Sequence, residues 1–100
     1  MIENIIKECF WDYNFSKEDI LNLASSHNLQ ERNFLFEKIL LNSTNIFRDL
    51  KIFDKDILYD LLKNYKIPQF NSYHAFKRKN MAEVYFFDKP VLVNELKWAI

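Results

Sequence analysis

Apolar positions recur along most of this chain at helical spacing. The densest run is Phe34-Leu35-Phe36-Glu37-Lys38-Ile39-Leu40-Leu41, in which Leu35, Phe36, Ile39 and Leu40 repeat at i, i+1, i+4 and i+5. Phe34 and Leu41 widen the stripe beyond what one neighbour can cover. A helix apolar over that much of its circumference belongs at the centre, with partners on two sides. The pattern predicts this helix over about 30–42, entered through Gln30-Glu31-Arg32-Asn33 and closed by Asn42-Ser43-Thr44-Asn45.

The same template places the other elements. Ile2, Ile5, Ile6, Cys9 and Phe10 fall at i, i+3, i+4, i+7 and i+8, predicting a helix over about 2–9. Phe10-Trp11-Asp12-Tyr13-Asn14-Phe15 fits neither helix nor strand period and reads as an ordered loop pinned by its rings. Ser16 can cap the backbone N–H groups of a helix over about 17–27, and Glu18 and Asp19 suit its positive end. Ile20, Leu23, Ala24 and His27 line one face of that helix, with His27 half-buried near its end. Ile46, Phe47, Leu50, Ile52 and Phe53 suggest a further short helical turn. Asp54 then opens a helix over about 55–65, in which Ile57, Leu58, Leu61, Leu62 and Tyr65 repeat the central pattern and should pack on helix 30–42. Ile67-Pro68 breaks the helical run, because proline disfavours α geometry in the residue before it. Phe70, Tyr73, His74 and Lys77 restore helical spacing over about 71–80. Val84-Tyr85-Phe86-Phe87 fits either a short strand or a helix end. Beyond Pro90, the residues Val91, Leu92, Leu96, Ala99 and Ile100 predict a terminal amphipathic helix with Trp98 to one side. The expected fold is all-α, a bundle of about five to six short helices in one domain over 1–100.

Composition narrows the picture. The chain is 49% hydrophobic and 17% aromatic, which excludes a disordered polymer. Glycine is absent, which argues against hairpin-rich β architecture and excludes glycine-rich phosphate loops. One cysteine, Cys9, cannot form an internal disulfide and fits a reducing compartment. The first residues lack a signal-peptide pattern, and no apolar run nears the roughly 18 residues that cross a bilayer. A cytoplasmic protein without a membrane role is expected.

Charge is balanced overall but unevenly placed. Residues 1–60 hold 7 Lys/Arg against 11 Asp/Glu, and residues 61–100 hold 7 against 3. The back of the chain carries a basic and aromatic segment, 63–79, that mixes Lys63, Lys66, Lys77, Arg78 and Lys79 with Tyr65, Phe70, Tyr73, His74 and Phe76. Ammonium groups suit phosphate and rings suit stacking, so a nucleic-acid face is one reading. The pI, near 6.7, falls short of the value above about 9 usual for such footprints. A face for a protein partner is the other reading, and a solvated surface over a buried aromatic stripe is the plain one. The rings of the 10–15 loop divide the same way, between plugging the core and forming a partner-binding hot spot with Trp11 and Tyr13. Candidate partner-binding residues are therefore Trp11, Tyr13, Lys63, Lys66, Tyr73, His74, Lys77, Arg78 and Lys79. One cysteine and two distant histidines supply no metal-ligand spacing, and no nucleophile pair has a motif behind it. Neither an enzyme nor a cofactor is expected.

Phe10-Trp11-Asp12-Tyr13, then Glu18-Asp19-Ile20-Leu21, then Phe34 to Leu40, then Leu50 to Leu62 resembles a group of small helical bacterial proteins encoded beside AbiEii-like nucleotidyltransferase toxins. The resemblance covers about residues 8–87 and is one of pattern. The chain departs from it in the basic-aromatic segment 63–79 and in its terminal helix. What the resemblance implies is a non-enzymatic, antitoxin-like protein of a toxin–antitoxin system, which binds and restrains a nucleotidyltransferase. A helical nucleic-acid-binding module using segment 63–79 is the alternative. A structural homodimer joined through Trp11 or Trp98 is the third.

Overall fold

A computed structural model describes residues 1–92. Six α-helices follow one another: α1 Ile2–Cys9, α2 Lys17–Ala24, α3 Leu29–Asn42, α4 Ile46–Asp49, α5 Lys55–Asn64 and α6 Ser72–Phe87, with a 3₁₀ turn, Leu50–Ile52, after α4. No strand occurs among the described residues. The terminal helix expected beyond Pro90, and Trp98 with it, lies largely outside the described residues.

α3 is the centre that its apolar pattern predicts. Leu35, Phe36, Ile39 and Leu40 are fully buried, and α1, α2, α4 and α6 all pack on this helix. Each such side chain removed from water contributes about 1.5–3 kcal/mol. One buried cluster joins Ile5 and Cys9 of α1, Ile20 of α2, the α3 residues, Leu58 and Leu62 of α5 and Ala82 of α6. α5 packs chiefly on α6 rather than on α3. It reaches α3 through Tyr65, whose ring meets Phe36 edge-on at 5.5 Å.

Local chemistry sets the boundaries. The Ser16 N–H donates to the Asp19 carboxylate at 2.8 Å, and the Asp19 N–H donates to the Ser16 hydroxyl at 3.2 Å, a reciprocal cap on α2. α2 stops at Ala24, three residues earlier than the pattern suggests. The Ser25 hydroxyl donates back to the Leu21 carbonyl at 2.9 Å, and the Asn28 side chain accepts from Gln30 and Glu31 to start α3. Serine and asparagine offer the backbone alternatives to a continued helix. His27 consequently lies exposed in the turn, not half-buried on a helix.

α6 differs most from expectation. It runs on through Val84–Phe87, so the strand reading fails. Aromatic and β-branched residues suit strands only where a sheet is there to receive them. Here Tyr85 stacks on Phe47 at 4.4 Å and Phe87 meets Tyr59 edge-on at 5.2 Å, and helical rotation sends the two rings to α4 and α5 respectively. Asn71 and Asp88 bound α6 in left-handed conformations, at φ 55° and 53°. In a chain without glycine these positions fall to the residue types that best tolerate such angles.

Candidate functional site

The basic segment is divided by the rotation of α6. Arg78 points inward. Its guanidinium donates through Nε to the Leu40 carbonyl and through Nη2 to the Ser43 carbonyl. One turn earlier, His74 Nε2 lies 3.0 Å from the Leu41 carbonyl. Together they satisfy carbonyls that the end of α3 leaves without intrahelical partners, and a cation there complements the negative end of the helix. Burial lowers the Arg78 pKa from its ordinary value. Arg78 thus holds the fold and is not an available phosphate contact. Lys79 pairs with Glu83 at 2.8 Å, and Tyr73 and Lys77 have interactions of their own within the chain.

A second polar cluster supports the same corner. Asp49 is fully buried, accepts from the Ser43 hydroxyl at 2.6 Å and receives two bonds from its neighbour Arg48, at 2.7 and 3.1 Å. Glu8 of α1 accepts from the Thr44 N–H at 3.1 Å and from its hydroxyl at 2.7 Å. Those two bonds hold the Glu8 carboxyl below the usual carboxylate range. Burial pushes the neighbouring Cys9 thiol up to about 12, so no thiolate nucleophile forms near neutral pH. Among the described residues, no group of three His, Cys, Asp or Glu side chains is set to hold a metal ion, and no helix is long and apolar enough to cross a membrane.

Several of the remaining candidates meet along the outer stripe of α3. Phe10 is the plug of the aromatic loop, wholly buried against Phe15 and Phe34. Tyr13 lies over Phe34 at 5.9 Å, with the Lys38 ammonium 5.2 Å from its ring centre. Glu37 accepts from the Tyr65 hydroxyl at 2.8 Å. Burial first, and then Glu37, raises the Tyr65 pKa. A hollow of about 420 Å³ between Phe34, Glu37, Tyr65 and Lys66 continues the stripe. So α3 gathers Tyr13 and Lys66 by way of Phe34, Glu37 and Lys38, which the apolar pattern assigned to the core or left aside, while His74 stays with Arg78 at the end of the helix. The recurrence of Phe34, Glu37 and Lys38 at helical spacing, along the edge of the buried stripe of Leu35, Phe36, Ile39 and Leu40, was the available signal. Trp11, two residues from Tyr13, is 78% exposed, and Phe70 on the loop before α6 is 82% exposed. The ring loop is divided in the fold: Phe10 and Phe15 pack into the core while Trp11 stays in water.

Lys63 and Lys79 belong elsewhere. They line a cleft of about 260 Å³ between α5 and the end of α6, with Tyr59, Leu62, Glu83, Phe87 and Lys89. Lys89 sits 5.4 Å from the Tyr59 ring centre. Neither Lys89 nor the ring pair Tyr59–Phe87 is distinguishable in the sequence, because α5 and α6 meet only in the fold. No family model, curated protein or solved structure matches this chain.

Proposed function

We propose that this chain is a non-enzymatic binding domain, the antitoxin-like partner of a nucleotidyltransferase, and that it engages that protein through the outer stripe of α3 and the flanking Trp11 loop. The exposure of Trp11 beside Tyr13 is the observation that carries this reading. A large indole left 78% in water forfeits the stabilisation that burial would give it. Tryptophan and tyrosine dominate binding energy where a partner later covers them. Phe34, Lys38, Glu37 and Lys66 supply the mixed apolar and charged surround that such anchors use. The choice of a nucleotidyltransferase rests on the resemblance of Phe10-Trp11-Asp12-Tyr13 and the following helical pattern to proteins encoded beside such toxins.

Direct nucleic-acid binding is the weaker reading, because Arg78 is spent on helix carbonyls and Lys79 on Glu83. Co-expression with the neighbouring gene product, followed by gel filtration, tests the proposal. One co-eluting complex is expected, weakened more than about 10-fold by Trp11→Ala. Two species that elute separately at micromolar concentration overturn it.

A further inference from the structure

The cleft between α5 and α6 is a separate feature from the α3 stripe, and it has a chemistry of its own. One part of its wall is aromatic: Tyr59 and Phe87 meet edge-on at 5.2 Å over the buried Leu62, with the Lys89 and Lys55 ammonium groups 5.4 and 5.8 Å from the respective ring centres. Its rim is cationic: Lys63, Lys79 and Lys89 face a single carboxylate, Glu83. Glu83 is already taken by Lys79 at 2.8 Å, and both side chains are only 20% exposed, so that pair is fixed in place. Among the described residues no carboxylate pairs with Lys63 or Lys89. Among the described residues, then, neither ammonium group has a carboxylate partner, and Lys89 rests over the Tyr59 ring.

We propose that this cleft binds a small aromatic phosphate monoester, of the nucleoside monophosphate class. Charge matching selects the phosphate, since a monoester carries about −1.5 to −2 near pH 7 and meets the ammonium groups of both Lys63 and Lys89. A carboxylate would meet only one of them. The aromatic part of the wall selects a flat apolar body attached to that anion. At about 260 Å³ the cleft lies just under the range of roughly 300–1,000 Å³ usual for small-molecule sites, which fits one ring system and one phosphate rather than a polymer. Lysines are suited to this task as point charges that adjust to a phosphate.

The test is a titration of the intact chain, followed by amide chemical shifts, with three probes: adenosine 5′-monophosphate, adenosine and inorganic phosphate. The monophosphate is expected to bind at least about 10-fold more tightly than either fragment, because it alone uses both wall and rim. Shifts should centre on residues 59–63 and 79–89. Lys63→Gln and Lys89→Gln should each weaken it about 3- to 5-fold and flatten its dependence on salt. Both are surface changes, and the far-ultraviolet spectrum of each variant checks that it folds. Adenosine or phosphate binding as tightly as the monophosphate, saturation only above roughly 1 mM, or a Lys63→Gln/Lys89→Gln double variant that binds like the parent each overturns the proposal. None of these outcomes bears on the protein-binding stripe, which is probed through Trp11.

Discussion

Arg78 and its neighbours Lys77 and Lys79 are alike in composition and unlike in role. Successive residues on a helix point about 100° apart, so a run of three cations cannot all face one partner. Arg78 faces the end of α3 and satisfies two carbonyls there, one of them 38 residues away in sequence. Arg78→Met keeps the stem and removes the donors, and should cost about 1.5–3 kcal/mol, read as a lowered urea midpoint with unchanged slope. Lys66→Ala, on an exposed side chain, should stay within about 0.5 kcal/mol. Glu8 sets an acid limit. Its carboxyl titrates lower in the folded chain than in the unfolded one, so its contribution is present above the unfolded carboxylate pKa of about 4.3 and is lost as pH falls through the lower folded value. Glu3, held down to about 2 by Lys17, acts in the same direction. Glu8→Gln should therefore lower the melting temperature at pH 7 and lower it less at pH 3.

Elements were legible where the code is local. Leu35, Phe36, Ile39 and Leu40 announce α3 by spacing alone, and the Ser16–Asp19 box announces the start of α2. What was hidden depends on distant partners. Val84–Phe87 reads as strand or helix until Phe47 and Tyr59 are in place beside Tyr85 and Phe87. At the early end of α2 the Ser25 hydroxyl and the Ser25 N–H both donate to the Leu21 carbonyl, local polar bonding that apolar periodicity does not record. The outer stripe of α3 was partly visible in Tyr13 and Lys66. Its connecting residues Phe34, Glu37 and Lys38 carry the same spacing as core residues and were hidden behind it. The turn after α6 offers a clean test of backbone conformation. Asp88 adopts φ 53°, so Asp88→Val should cost about 1–2 kcal/mol, whereas Asp88→Gly should change stability by less than about 1 kcal/mol. Thermal unfolding of the two variants measures the difference.

At the scale of the molecule, α3 presents two different faces. Its inner face is the core, and its outer face carries the partner surface proposed above. Trp11→Ala should separate them, leaving the melting temperature of the free chain within about 2 °C while weakening the complex, because so little of the indole is packed. Light scattering on the free chain adds the remaining distinction, since a concentration-dependent dimer abolished by Trp11→Ala would assign that indole to self-association.

The bond from Arg78 to Leu40 also makes one helix end depend on a helix distant in sequence. The carbonyls of Leu40 and Ser43 gain their side-chain donors from α6, the last of the described helices. Closure of the last turn of α3 therefore depends on the docking of α6. Amide exchange near residues 40–44 should then report the docking of the last described helix rather than the collapse of the first three.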